Sequence, residues 1–387
     1  MRISLVSETW SPDINGVAHT LGQLAGELRR RDHVLQLIRP RPVAAGAPRA
    51  DAMMEAELQV AGIPMPGYPE VRFGLPATRA ILRLWRQQRP DVVYLATQGP
   101  LGWSAQRVAR RLSIPVVGGW HTNFDHYCRD YGLPWLAPLV TRRLRAFHNR
   151  CATTLVPTRQ QAGDLAAKGF ENLRVMGRGI DGERFSPTHR DPELRRRWGS
   201  DDHRPVALHV GRLAPEKNLP LLRETFLAML DARPDLTLVV VGDGPGRQAL
   251  QRALPDAHFT GFIDQQALVR HYASADLFVF PSVSETWGNV VPEAMASGLS
   301  VVAFRQAAGA ELIDDDINGV SLPMGDEAGF REAAARLCRQ PARYARLGRA
   351  ARSRALQNDW SSVTDDFLGA LIHARETFHE ATSPCRV

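Results

Sequence analysis

Short apolar runs rich in β-branched residues recur along this 387-residue chain, separated by amphipathic stretches of helical period. In the first half they are "RISLVS" (2–7), "HVLQLIR" (33–39), "DVVYLAT" (91–97), "PVVGGWH" (115–121), "ATTLVP" (152–157) and "LRVMGRG" (173–179). The second half adds "PVALHVG" (205–211), "LTLVVVG" (236–242), "DLFVFPS" (276–282) and "LSVVAF" (299–304). Such strands, alternating with helices, predict parallel sheets covered on both faces. A chain of this length exceeds one ordinary core. The expected class is therefore α/β, with two doubly wound Rossmann-like domains over 1–185 and 186–357. The polar segment 181–205 reads as the linker between them. The closing stretch, 358–387, reads as a helix with Val363, Phe367, Ala370 and Leu371 on one face, able to cross back to the first domain.

Charge is unevenly spread: residues 1–190 carry a net +11 and the remainder −4. A basic first half calls for an anionic partner. The motifs of nucleic-acid modules are missing, which leaves a membrane surface or a phosphorylated substrate. The first residues read as a strand rather than a signal peptide, and no apolar run is long enough to span a bilayer. Four scattered cysteines show no metal or disulfide spacing, so a reducing cytoplasm is expected. Among 48 basic residues only Lys168 and Lys217 are lysines. Where Arg is the habit, a Lys suits a place that needs a compact, rotatable point charge.

In doubly wound sheets ligands sit beyond the carboxyl ends of the strands, and the unusual residues collect there. "GRLAPEKN" (211–218) brings Gly211, Arg212 and Lys217, two cations suited to a diphosphate. "GDGPG" places Gly242, Gly244 and Gly246 after the next strand, and Asn15-Gly16 follows the first strand of the chain. Each turn is a candidate for offering backbone amides to an anion. "SETWGNVVPEAMASG" (284–298) sets Glu285 and Glu293 eight positions apart around Gly288-Asn289. A helix dipole accounts for Glu293 but not for Glu285. His121 stands at the mouth of a strand after two glycines. A lone histidine is more often structural, and this position favours a site.

Together, "NGV" (15–17), "HTNF" (121–124), "RGID" (178–181), "GRLAPEKN" and "SETWGNVVPEAMASG" resemble the retaining glycosyltransferases of family 4, whose GT-B fold faces two Rossmann-like domains across a cleft. The likeness runs from residue 1 to about 375, and its nearest branches are bacterial GDP-mannose-dependent α-mannosyltransferases and sulfolipid or diacylglycerol sugar transferases. It implies an acceptor-binding first domain and a nucleotide-sugar-binding second one. Glu293 would accept the ribose hydroxyls and Glu285 the hydroxyls of the transferred sugar. Thr286, Trp287, Gly288, Asn289 and Val290 would line the diphosphate between them, with Gly16, Gly211 and Gly242 also at the donor. Arg212 and Lys217 would neutralise the leaving diphosphate without a metal or other cofactor, and "DDD" (314–316) reads as an exposed turn. His121 would hold the donor sugar. Asn15, Asn123, Tyr127, Arg178 and Asp181 complete the set on the acceptor side.

Arg79, Arg83 and Arg86 share a helix face beside Leu82 and Trp85, and Arg142, Arg143, Arg145 and Arg150 form a second basic group. With the resemblance, they suggest a lipid acceptor and contact with the inner face of the cytoplasmic membrane. GDP-mannose is the expected donor; the alternative is a UDP-sugar-dependent diacylglycerol glycosyltransferase using glucose, galactose or sulfoquinovose. Two other classes fit less well. An oxidoreductase would need G-x-G-x-x-G after the first strand, and a periplasmic binding protein would need a signal peptide. A non-catalytic nucleotide-binding scaffold would lack some of the key residues, and all are present.

Overall fold

The computed structural model describes residues 1–11, 13, 15–42, 51–65, 68–121, 137–201 and 203–382. It divides into two units, Met1–Arg178 with Trp360–Val387, and Gly179–Asp359.

The first unit is built on a parallel sheet of β1 (Arg2–Val6), β2 (Val34–Pro40), β3 (Ala56–Val60), β6 (Val92–Leu95), β7 (Val116–Gly119), β8 (Thr153–Val156) and β9 (Leu173–Val175). Their order is β3-β2-β1-β6-β7-β8-β9. An antiparallel hairpin, β4 (Gly62–Met65) with β5 (Tyr68–Gly74), stands apart from it. Neighbouring residues in a strand point to opposite faces, so each strand feeds two cores. Ile3, Leu5, Leu35, Leu37 and Tyr94 pack against the helix Gly16–Arg30 and the closing helix Trp360–Thr382. Val6, Ile38, Val93 and Leu95 pack against the helices Thr78–Gln87 and Pro100–Arg111 on the other side. The closing helix buries Val363, Phe367, Ala370 and Leu371, the face expected from sequence, and Phe367 meets Tyr94 edge-on at 4.9 Å.

The second unit repeats the plan with β10 (Val206–Val210), β11 (Thr237–Val241), β12 (His258–Gly261), β13 (Leu277–Phe280), β14 (Ser300–Phe304) and β15 (Val320–Leu322), in the order β12-β11-β10-β13-β14-β15. Alternate residues again serve two cores, Leu208 and Phe278 on one face, Ala207 and Val279 on the other. Each fully buried Leu, Val or Phe side chain among them contributes roughly 1.5–3 kcal/mol. In both sheets the strand order reverses beside the first strand, between β1 and β6 and between β10 and β13. Ligand sites in such sheets open at these reversals.

Two expectations need correction. The polar segment 181–205 is not a linker. Phe185 and Trp198 lie in the core of the second unit, and Arg195, 2 % exposed, is held by Asp276 at 3.0 Å and by the carbonyls of Ser274 and Arg204 at 2.7 Å. Burial of a paired guanidinium made core sequence look like surface sequence. Trp85, expected beside the arginines of its helix, is 1 % exposed and donates to Ser4 Oγ at 3.1 Å. Arg79, Arg83 and Arg86 remain exposed.

Candidate active site

At the reversal in the second sheet, the chain leaves β10 through Gly211 and the exposed Arg212, then makes the short turn Pro215–Lys217. The loop after β13 faces it. Lys217 Nζ is ion-paired with Glu285 Oε1, which also accepts from Ser282 Oγ at 2.8 Å. The ammonium lies 5.4 Å from the ring centre of Phe280. Lys217 and Glu285 are each 14 % exposed as side chains, so the pair is only partly hydrated. Two residues expected to act at separate parts of a ligand are thus each other's partners.

Beyond Glu285 the loop turns at Gly288, whose φ of +83° is a conformation that favours glycine. Trp287 is buried beneath the loop rather than lining its outer side, and its carbonyl accepts from Ala308 N at 2.8 Å. The helix Val290–Ala296 then begins without a side-chain cap. Among the described residues the amides of Gly288, Asn289 and Val290 find no backbone acceptor, while that of Glu293 already bonds Asn289 O at 3.1 Å. Thr286 is half-buried on the same loop.

Glu293 occupies a different environment. Its Oε2 accepts from the hydroxyl of Tyr272 at 3.0 Å, and Tyr272 itself is fully buried. Burial pushes the Glu293 carboxyl up to about 7, against the opposing pull of the Tyr272 hydrogen bond and the Arg184 charge.

The glycines of the "GDGPG" turn serve packing. Gly242 has φ +128°, and a Cβ there would come within 2.0 Å of Gly211 O; one on Gly244 would come within 2.5 Å of Leu213 O. The amides of Gly211, Gly242 and Gly246 bond to Val241 O, Gly261 O and Leu213 O at 3.0, 3.0 and 2.8 Å, and Gly244 N bonds to Asp243 Oδ1. The expectation that this turn offers amides to an anion is therefore corrected. It lets the Arg212 loop lie directly against its neighbour.

The first unit carries the other expected residues. His121 follows β7 and is buried; its Nδ1 accepts from Arg178 Nη2 at 2.6 Å and its Nε2 lies 2.8 Å from the Tyr94 hydroxyl. A guanidinium can only donate, so Nδ1 is bare and Nε2 bears the proton. Burial, with the nearby charges of Arg178 and His148, holds the ring neutral, well below the usual histidine range. Asn15 caps its own helix, accepting from the amides of Val17 and Ala18 at 3.1 and 2.9 Å and donating to Thr9 Oγ1 at 2.6 Å. That turn is closed to an anion at those amides, and Gly16 sits exposed beside it. Asp181, in the second unit, caps a turn through Arg184 N at 2.9 Å. Asn123 and Tyr127 lie outside the described residues. No group of three or more His, Cys, Asp or Glu among the described residues is placed to hold a metal ion.

Sequence reasoning passed over Ser282, Tyr272, Tyr94 and Glu8. Glu8 had a legible signal, a carboxylate at the end of the first strand. Tyr94 and Tyr272 sit in apolar stretches and look like core until their hydroxyl partners are seen.

The comparisons with known proteins agree with this layout. A family model described as "Glycosyltransferase Family 4" matches residues 14–184, and one described as "Glycosyl transferases group 1" matches 204–340. The chain is 37 % identical to a GDP-mannose-dependent alpha-mannosyltransferase of Mycobacterium tuberculosis, over 95 % of this chain and 96 % of that protein. It is 28 % identical to a GDP-mannose-dependent alpha-(1-6)-phosphatidylinositol dimannoside mannosyltransferase of the same species, over 96 % of each. The fold matches that of Anabaena Alr3699/HepE, whose crystal structure holds UDP and glucose, with a TM-score of 0.73 and 20 % identity over 96 % of this chain and 99 % of that one.

Proposed function

This chain belongs to glycosyltransferase family 4 and is a nucleotide-sugar-dependent enzyme of GT-B type; from that premise we propose that it moves mannose from GDP-mannose to a lipid or lipid-linked acceptor, with retention. The donor half of the reading rests on the loop after β13. It presents Glu285, amides without backbone acceptors at the helix start and Glu293 in succession, along one edge of the sheet reversal. Glu293 takes the ribose hydroxyls through the oxygen that Tyr272 leaves open. The amides of Gly288, Asn289 and Val290 take the diphosphate. Lys217, with Arg212, turns from Glu285 to the diphosphate as charge develops there, and Glu285 is released to the sugar hydroxyls. His121 is assigned to the sugar by family resemblance.

The donor of the two mannosyltransferase relatives, GDP-mannose, supports the same donor here. Thermal shifts with GDP-mannose, UDP-glucose, UDP-galactose and UDP-sulfoquinovose test it directly. The largest shift is expected for GDP-mannose, and a larger one for any UDP-sugar would replace it with the diacylglycerol reading.

A lipid acceptor is supported by the name of the phosphatidylinositol-linked relative and by two basic helices. Arg79, Arg83 and Arg86 are exposed, with Leu75 40 % exposed just before them; Leu139 is 52 % exposed on the helix carrying Arg142 and Arg143. No described helix is long and apolar enough to cross a membrane. Charge reversal at Arg79, Arg83 and Arg86 should weaken sedimentation with anionic liposomes, most at low salt, while GDP-mannose hydrolysis continues. Indifference of the wild-type protein to anionic liposomes would remove the membrane from the account.

A further inference from the structure

His209, on β10 beside the reversal of the second sheet, is a polar side chain sealed in the second unit at 0 % exposure. Its Nδ1 stands 2.9 Å from the carbonyl of Val279. A carbonyl can only accept, so Nδ1 carries the proton and Nε2 is a bare acceptor. Burial, joined by the nearby charge of Lys217, lowers the ring's pKa to about 4 in spite of the Val279 hydrogen bond. Nε2 is buried and has no hydrogen-bond partner among the described residues. Buried polar atoms are rarely left so, and each one calls for an explanation. Gly211 shapes the space around this nitrogen. A Cβ on Gly211 would lie 3.6 Å from His209 Nε2, 3.9 Å from Lys217 Cε and 4.0 Å from the Phe280 ring. These are ordinary contacts, and the residue does not adopt a left-handed φ, so neither crowding nor backbone conformation demands a glycine there. What the glycine leaves is a small niche, with the orphan nitrogen on one side and the stem of Lys217 on another. Phe280 joins the two: His209 stacks on its ring with centroids 6.1 Å apart, and the Lys217 ammonium lies 5.4 Å from its centre.

We propose that His209 is a positioning residue for the transfer: its Nε2 receives one N–H of Lys217 when the ammonium leaves Glu285, and so holds the other two toward the diphosphate. The inference rests on the donor reading and adds the group that seats the cation. An ammonium has three donors and no acceptor, so a bond to a neutral nitrogen leaves its charge intact. Against Glu285 that charge is neutralised; against His209 it is free to act on the leaving group. Arginine does not suit this exchange, because its head is a wide planar fork and the niche beside Gly211 admits only a compact one. The seat thus gives a reason for one of the two lysines in a chain that otherwise uses arginine. A water molecule fits the niche less well. It needs a second polar partner, and the other walls are a phenyl ring and a methylene group.

The test uses the full chain. His209→Phe keeps a ring to stack on Phe280 and removes the acceptor. Its kcat should fall about tenfold and its affinity for GDP by a similar factor, because GDP carries the charge that the transition state develops. The donor KM should change less than about twofold, since that charge is absent from the ground state. His209→Gln, whose amide oxygen reaches the Nε2 position, should recover most of the loss. In a Lys217→Ala background His209→Phe should have no further effect, as the two residues act through one contact. A packing role would lower kcat by the same factor in both backgrounds and would overturn the proposal. Nitrogen NMR gives a reading independent of turnover. The His209 Nε2 resonance should be that of a bare nitrogen in the free enzyme, shift upfield when GDP is added to wild type, and stay in place in Lys217→Ala. Should His209→Phe fail to fold, Gly211→Ala fills the niche where a Cβ has room, and it should abolish the shift. Bound GDP with no movement of the wild-type resonance would remove the seat. Failure of the wild type to bind GDP would instead strike the donor reading, so the two failures are distinguishable.

Discussion

The two ends of the loop after β13 hold glutamates eight residues apart in opposite surroundings. Glu285 sits against an ammonium and a hydroxyl, so its charge is answered before any ligand arrives. Glu293 sits against a buried phenol, and its charge is opposed by burial. One end is an ion pair whose charges are already matched; the other is a carboxyl that burial pushes up to about 7. The same residue type is thus given two different electrostatic environments by its neighbours.

The largest effect is expected where the ion pair is broken. Lys217→Ala removes the counter-charge of Glu285 and the cation assigned to the diphosphate, so kcat should fall roughly a hundred- to thousandfold, as when a group aimed at developing charge is lost. Lys217→Arg keeps the charge but not the compact ammonium, and a drop of about tenfold is expected. Rates equal to wild type in both variants would detach the pair from the reaction.

At the other end the expected effect is a pH dependence. Ribose hydroxyls donate to the carboxylate form, so GDP binding should weaken as pH falls through about 7. For one coupled proton the apparent Kd should rise about tenfold between pH 8 and pH 6, and Glu293→Gln should abolish the slope. The Tyr272 hydrogen bond lowers the Glu293 pKa, so Tyr272→Phe should move the midpoint upward and weaken GDP by roughly tenfold at pH 7. A simple packing role for Tyr272 would leave the midpoint in place. Folding carries the opposite sign. A carboxyl raised from 4.5 to about 7 costs stability as pH rises across that interval and fully above it. Glu293→Gln should therefore raise Tm relative to wild type more at pH 8 than at pH 5. The comparison must be made with wild type, because burial also raises Glu8 to about 7.

The smallest expected effect is that of chelation. If Arg212 and Lys217 neutralise the diphosphate, excess EDTA should leave turnover unchanged, and a strict Mg²⁺ or Mn²⁺ requirement would contradict that assignment.

Much of this arrangement was legible in the sequence because apolar period and strand-end position are local signals. The main strands and the closing helix follow from them, whereas the pairing of Lys217 with Glu285, 68 positions away, does not. The hairpin Gly62–Met65 with Tyr68–Gly74 was not legible, since its strands lack a clean alternation. β12 and β15 are short and carry few β-branched residues. Tyr272 was missed for a different reason: its hydroxyl partner, Glu293, lies far away in sequence. Arg195 shows the converse, a charged residue that reads as solvated until Asp276 is found beneath it.

The central claim is that one loop grips the two ends of a nucleotide sugar with two unlike glutamates. Calorimetry with GDP and steady-state kinetics with GDP-mannose, on Glu285→Gln and Glu293→Gln side by side, test it most directly. Glu293→Gln should weaken GDP and raise the donor KM roughly ten- to hundredfold, a loss of binding shared by ground and transition states. Glu285→Gln should lower kcat by a similar factor while GDP binds as in wild type or more tightly, because Lys217 is then free for the diphosphate. If Glu285→Gln weakens GDP as much as Glu293→Gln does, the division of labour between the two ends of the loop is wrong.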